Sequence, residues 1–293
     1  MILIFGSINA DIVVPVPKLP QPGETVLGGS YEVLPGGKGA NQALAARRAG
    51  ADVMLAGAVG RDGFAEIALA SLRGEGVDTR LVREIELPTG CALIMVSAAG
   101  ENIIAVAPGA NMGVRCDWVP EDLLDADTTL VTQLEVPPRE TQALIRRVRR
   151  CCGRCVLNVA PALPIDRALL PEIDLLVANE SEAATMSPDP MEIARRLRQG
   201  LVVTRGAAGA GAFLANGSQL DLPALAIYPV DTTGAGDTFV GVLAAALDFG
   251  ASLEVALRRA SAAAGLACLA RGAQTAMPRS AAIDAAIAGL PPG

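Results

Sequence analysis

Residues 1–5 form an unbroken apolar run that stops at Gly6-Ser7, the mark of a strand buried on both faces. Further strand patterns, not all of them wholly apolar, recur at 53–59, 129–134, 156–159, 175–178 and 201–204. Between them, residues 65–74, 138–150 and 191–199 carry helical spacing, and the apolar run 239–247 reads as a further helix. Strands alternating with helices predict a parallel sheet with crossover helices. Two regions break that rhythm. Residues 15–35 are rich in proline and glycine, and 91–97 and 102–107 flank a Gly100-Glu101 turn as a hairpin would. The expected fold is therefore one α/β domain over 1–293, a three-layer sandwich with a mainly parallel central sheet flanked by helices. A small β lid from about 12–35 and 90–108 would complete it.

Half of the chain is hydrophobic, yet it holds one Trp, two Tyr and five Phe, so the core must be built from Ala, Val and Leu. The longest apolar runs, such as 242–247 and 262–270, fall short of the roughly 20 residues that span a bilayer. No basic segment precedes the first strand, which favours a cytoplasmic protein over a secreted one. A net charge of −7 weighs against nucleic acid or an anionic membrane as partner. The basic group Arg146, Arg147, Arg149, Arg150 and Arg154 is expected to be a solvated helix face. Cys152-Gly153-Arg154-Cys155 has redox or zinc spacing, but it has no second pair and the chain has no histidine, so a helix-to-strand loop is expected there. The missing histidine also excludes Ser-His-Asp, Cys-His and His-metal chemistry. Any general base must be a carboxylate, Lys, Tyr or Cys.

Open α/β sheets bind ligands at the carboxyl ends of their strands. Asn9 and Asp11 follow the first strand, Glu135 follows 130–134, and Asn179 and Glu182 follow 175–177, although Asn179 would also serve as a helix cap. Gly36-Gly37-Lys38-Gly39-Ala40-Asn41-Gln42 opens a helix. It is not a phosphate-binding P-loop, because position 32 is Glu where that loop needs Gly, and Lys38 and Asn41 suit the reading of hydroxyl groups. Residues 204–209, Thr-Arg-Gly-Ala-Ala-Gly, leave room for a flat base or simply for a hairpin. Asp231-Thr232-Thr233-Gly234-Ala235-Gly236-Asp237 then enters the 239–247 helix with two carboxylates six residues apart. Amides of a first helical turn favour an anion, and Asp237 beside them offers an acceptor for a proton, the two parts that phosphoryl transfer requires. An ordinary helix capped by Asp231 or Thr233 is the competing reading.

With these pieces placed, the chain resembles the PfkB family of carbohydrate kinases, and its ribokinase branch most closely, nearly end to end. The 231–237 motif resembles the family's C-terminal signature; Gly6 to Asp11, Gly36 to Asn41, Gln133-Leu134-Glu135 and Gly272-Ala273-Gln274 resemble the branch. The resemblance implies ATP-dependent phosphorylation of the primary hydroxyl of a small neutral sugar, D-ribose first, with deoxyribose, fructose or a nucleoside as alternative acceptors. It implies that Asn9, Asp11, Gly37, Lys38, Asn41 and Glu135 hold the sugar. Asp237 would be the base, with the Ala235, Gly236 and Asp237 amides and Gly234 forming the anion hole. Asn179, Thr204, Arg205, Gly206, Ala207, Ala208, Gly209 and Gly236 would meet the nucleotide, and Glu182 would hold Mg²⁺ through water. A monovalent cation such as K⁺ would lie against Asp231, Thr233, Ala267, Ala270, Gly272 and Ala276, where Ala276 replaces the serine common in the branch. The lid, rich in apolar residues, implies a homodimer. A sugar-binding sensor on the same fold would be expected to lack the base or the glycines, and a nicotinamide enzyme would need a G-x-G-x-x-G that does not follow the first strand.

Overall fold

The structure, a computed structural model, describes residues 1–288, so the last five residues of the expected 1–293 domain lie outside the described residues. In chain order the strands and helices are β1 (Ile2–Phe5), β2 (Asn9–Val16), β3 (Glu32–Gly36), α1 (Lys38–Arg48), β4 (Val53–Gly60), α2 (Gly63–Gly74), β5 (Asp78–Ile85), β6 (Gly90–Ser97) and β7 (Asn102–Ala107). There follow β8 (Thr129–Thr132), α3 (Pro138–Arg150), β9 (Arg154–Asn158), β10 (Leu175–Asn179), α4 (Glu180–Met186), α5 (Pro190–Ala194) and β11 (Gly200–Thr204). The chain continues with β12 (Ala210–Leu214), β13 (Gln219–Leu222), α6 (Ala235–Asp248), α7 (Leu253–Ala267) and α8 (Ser280–Ile287).

Nine strands form the central sheet in the order β13-β12-β11-β10-β9-β8-β1-β4-β5. Every pairing from β11 to β5 is parallel, and β12 and β13 are added antiparallel at one edge. β1 lies inside the sheet, and its side chains divide between two cores. Ile2 and Ile4 pack with α1, α6 and α7 on one face, while Leu3 and Phe5 pack with α3 on the other. All four are fully buried, which is why the run is continuously apolar and does not alternate. A second sheet, in the order β3-β2-β6-β7, stands apart from the first and carries the Gly100 turn between β6 and β7.

Three local expectations are corrected. The 191–199 helix ends at Ala194, because the Arg198 and Gln199 amides turn to the Ile173 and Asp174 carbonyls at 3.0 and 2.9 Å and carry the chain into β11. The arginines of 146–154 are not merely a solvated face. Arg147 donates to the Cys116 and Val119 carbonyls at 2.5 and 2.7 Å, Arg149 donates to the Gly153 carbonyl, and Arg154 reaches the Leu247 carbonyl at 2.8 Å. Asp231 and Thr233 do not cap α6, whose N-cap is Gly234 in the left-handed conformation with no side-chain cap. Cys152 and Gly153 lie in the α3-to-β9 connection, as expected, while Arg154 and Cys155 begin β9, and both cysteines are free thiols.

The small-residue composition has a structural use where α1 meets α6. A methyl group added at Gly241 of α6 would lie 2.5 Å from the Gln42 carbonyl oxygen and 2.7 Å from the Ala45 Cβ. The backbones can approach this closely only with glycine there. Gly241→Ala is expected to destabilise the protein by about 1 to 3 kcal/mol in denaturant unfolding, the usual cost of overpacking. Unchanged stability would show that the helices are free to separate.

Candidate active site

The site lies where β1 and β8 to β11 end and where α1, α4 and α6 begin. A cavity of about 170 Å³ is lined by Lys38, Asn158, Ala160, Val177, Ala178, Asn179, Glu182, Thr204, Gly234, Gly236, Asp237 and Val240. Seven of the residues expected at the site are thus brought to one wall. Gly234 can take its φ of 75° only as a glycine without strain, and a methyl there would meet the Ala273 backbone at 2.8 Å. The first intrahelical bond of α6 runs from the Thr238 N–H to the Gly234 carbonyl at 2.8 Å, so the Gly236 and Asp237 amides precede it. The Ala235 N–H, expected in the anion hole, instead donates to the Thr232 carbonyl at 3.2 Å. Nothing lies within 4 Å of where a Gly236 methyl would point, so the helix start opens onto free space.

Asp237 is buried, and both of its oxygens are held from α1. Asn41 Nδ2 donates to Oδ2 at 2.9 Å and Gln42 Nε2 to Oδ1 at 3.0 Å. The Asp237 carboxylate is also the main reason that the Lys38 ammonium pKa is raised; burial opposes this, and Glu135, Glu182 and Asp11 add to it. Glu135 sits against the start of α1, accepting from Ser7 Oγ at 2.5 Å and the Lys38 N–H at 3.3 Å. Asn9 Oδ1 accepts from Asn111 Nδ2 at 2.7 Å. Gly37, at φ 89°, lets the chain pass Asn9, whose amide nitrogen a methyl would approach to 2.7 Å.

Asp11 pairs with Leu34 across β2 and β3, its carboxylate lies over Gly36, and one carboxylate oxygen is buried without a partner. Burial first, then the charges of Glu135 and Asp237, push its carboxyl up to about 7, against the pull of Lys38. Burial likewise raises the Glu182 carboxyl. Asn179 caps α4: its Oδ1 accepts from the Glu182 N–H, and its own N–H donates to Glu182 Oε2, both at 2.8 Å.

The remaining expected residues are distributed less tightly. Of 204–209, Thr204 lines the cavity; Arg205 turns to Asp221 at 2.5 Å, and the turn from Gly206 to Gly209 closes through an Arg205 N–H bond to the Gly209 carbonyl at 2.7 Å. Asp231 Oδ1 accepts from the Thr233 N–H and Oγ1 at 2.9 and 2.6 Å, and Oδ2 from the Gly272 N–H at 2.8 Å. Burial would raise the Asp231 carboxyl, but these donors outweigh it and hold it low. Asp231 thus ties the approach to α6 to the loop after α7 that contains Ala270, Gly272 and Ala276. Ser7, Gln42 and Gln133 lie within the quoted motifs but were assigned no role from sequence, and Asn111 and Asn158 were not singled out. Asn158 had the same signal as Glu135, a polar residue ending an apolar strand.

The pfkB family carbohydrate kinase pattern matches residues 1–280. The chain belongs to the pfkB family of carbohydrate kinases. It is 36% identical to a ribokinase of Bacillus subtilis over 283 residues, covering 94% of this chain and 96% of that one. Among solved structures, ribokinase from Thermotoga maritima superposes with a TM-score of 0.90 at 29% identity, covering 98% and 99% of the two chains. Arabidopsis thaliana ribokinase complexed with ribose and ATP superposes with a TM-score of 0.88 at 29% identity, covering 98% of each. Within this pfkB fold, the mainly parallel sheet and its flanking helices are those expected from sequence.

The Asp11 environment makes a prediction with a defined sign. Unfolding returns its pKa from about 7 to 3.8. Between those values the folded chain holds the extra proton, so this carboxyl's stabilising contribution is full below about pH 4 and lost as the pH rises through about 7. Asp11→Asn should therefore stabilise the protein by about 1 to 3 kcal/mol at pH 8 and far less at pH 5. Chemical denaturation at the two pH values measures it. An equal change at both would show that Asp11 ionises freely.

Proposed function

We propose that this carbohydrate kinase transfers the γ-phosphoryl group of ATP to the primary hydroxyl of D-ribose, giving ADP and D-ribose 5-phosphate. The carrying observation is that Asp237, its carboxylate oriented by Asn41 and Gln42, stands in the first turn of a helix whose amides no side chain caps. That puts a proton acceptor and anion donors within one turn. The hydroxyl oxygen attacks the γ-phosphorus, the bond to the ADP oxygen breaks, and the proton passes late to Asp237 as the new bond makes the hydroxyl acidic. Gly236 and Asp237 N–H groups and the Lys38 ammonium meet the charge on the phosphoryl oxygens. Asn9, Asp11, Gly37, Lys38, Asn41 and Glu135 hold the sugar. Thr204 and Asn179 border the nucleotide, with Arg205, Gly206, Ala207, Ala208 and Gly209 forming the turn beside it.

Glu182 suits Mg²⁺, because a cation beside it would relieve the burial that raises its carboxyl. Mg²⁺ would supply charge neutralisation at the phosphates. Asp231, held ionised, suits a monovalent cation shared with Thr233 and the Ala267, Ala270, Gly272 and Ala276 backbone, with no hydroxyl at 276. The β3-β2-β6-β7 sheet acts as a lid over the sugar and keeps water from the phosphoryl group. A nucleoside is disfavoured as acceptor, since the only aromatic residue of this sheet region, Tyr31, is largely exposed. Among the described residues no helix is long and apolar enough to cross a membrane.

Asp237→Asn keeps the shape of the site and removes the proton acceptor. It should bind ribose normally and lose about 10²- to 10⁴-fold in kcat. ADP release with ribose and MgATP, paired with a ribose titration, measures both; near-normal turnover would contradict the assignment.

All six residues of β7 are exposed, among them Ile103, Ile104 and Val106, with Leu93 beside them on β6. We propose that a second copy of the chain covers this face, giving a homodimer through the lid. Sedimentation at micromolar concentration should show a dimer that Ile104→Lys converts to monomer. A monomeric parent protein would contradict it.

A further inference from the structure

Of three buried glutamines around the site, Gln42 donates directly to Asp237, while Gln133 and Gln274 have no role in the chemistry above. Gln42 and Gln133 are 0% exposed and Gln274 2% exposed, and none of the three lines the cavity. They are joined in two chains of carboxamides that end on opposite oxygens of Asp237. In the first, Gln133 Nε2 donates to Gln42 Oε1 at 2.6 Å, and Gln42 Nε2 donates both to Asn158 Oδ1 and to Asp237 Oδ1, each at 3.0 Å. In the second, Gln274 Nε2 donates to Asn41 Oδ1 at 3.0 Å, and Asn41 Nδ2 donates to Asp237 Oδ2 at 2.9 Å.

The direction of both chains is forced. An amide oxygen cannot face a carboxylate or a carbonyl, so each amide must turn its nitrogen toward the acceptor. Asn158 Nδ2 is committed to the Val177 backbone carbonyl at 3.0 Å, which leaves its oxygen for Gln42. The Gln42 nitrogen then faces two acceptors, and its own oxygen needs the donor that Gln133 supplies. Asn41 faces the carboxylate with its nitrogen, and its oxygen needs Gln274. Arg48 Nη1 holds the Gln274 carbonyl to the far end of α1 at 2.6 Å, so the second chain is anchored at its outer end. Reversing any one amide would set oxygen against oxygen in a buried space, which is costly.

We propose that Gln42, supported by Gln133, and Gln274, acting through Asn41, are positioning residues for phosphoryl transfer. Two one-way carboxamide relays fix the rotation of the Asp237 carboxylate. Each carboxylate oxygen receives one fixed amide donor and keeps lone-pair capacity for the acceptor hydroxyl. This rests on Asp237 as the base.

A double-mutant cycle separates positioning from a packing role. Gln42→Met keeps the volume and removes both the donor and the acceptor. In the parent enzyme it should lower kcat by about 10- to 100-fold, the scale of a misplaced reacting group, with ribose Kd changed less than about twofold. Added to Asp237→Asn, it should change kcat less than about twofold, because there is no carboxylate left to orient. Gln133→Met, one hydrogen bond further out, enters the same cycle should Gln42→Met fail to fold. Equal losses in both backgrounds, or unchanged kcat in the single variants, would overturn the proposal. If Asp237→Asn alone turns over normally, the base assignment itself falls, an outcome distinct from failure of the relays.

Discussion

The approach of two helix starts is the constraint on which this structure depends. α1 and α6 come together through glycine and alanine until Gln42 and Gly241 touch backbone to backbone. Only at that separation can the Asn41 and Gln42 side chains reach the Asp237 carboxylate. A bulkier core, with aromatic residues between these helices, would move the carboxylate away from its donors. The alanine-rich composition therefore serves the site as well as the packing.

The site also concentrates negative charge. Asp11, Glu135, Glu182 and Asp237 surround a single lysine, and that lysine's ammonium is stabilised chiefly by Asp237. Asp11 bears the cost, with its carboxyl pushed up to about 7 and one oxygen lacking a partner. Under the proposed function, sugar hydroxyls at Asp11 and a cation beside Glu182 would relieve that frustration. Stability and binding are set against each other at the same residues.

Much of this was legible in the sequence, and the failures have physical causes. The buried strands announced themselves because a sheet covered on both faces needs continuous apolar runs, as in 2–5 and 175–178. β5 gave no such signal, since an edge strand with Arg80, Arg83 and Glu84 exposed has no reason to be apolar. The end of α5 depended on the Ile173 and Asp174 carbonyls, which lie far back along the chain. The glycine and carboxylate motifs marked Gly234 and Asp237. Gln42 and Gln133 stood in the motifs but their role was hidden, because a glutamine on a helix or after a strand has no evident partner until a neighbouring helix covers it. Likewise, the arginines of 146–154 looked like a solvated stripe until the carbonyls they hold were in place.

The most direct test of the site's chemistry is ADP release from MgATP across D-ribose, 2-deoxyribose, fructose, adenosine and no acceptor. Rapid release with ribose, and little with adenosine or without acceptor, is the result that the proposed role of the polar groups around Asp237 predicts. Release favouring adenosine, or none with any of these acceptors, would contradict it.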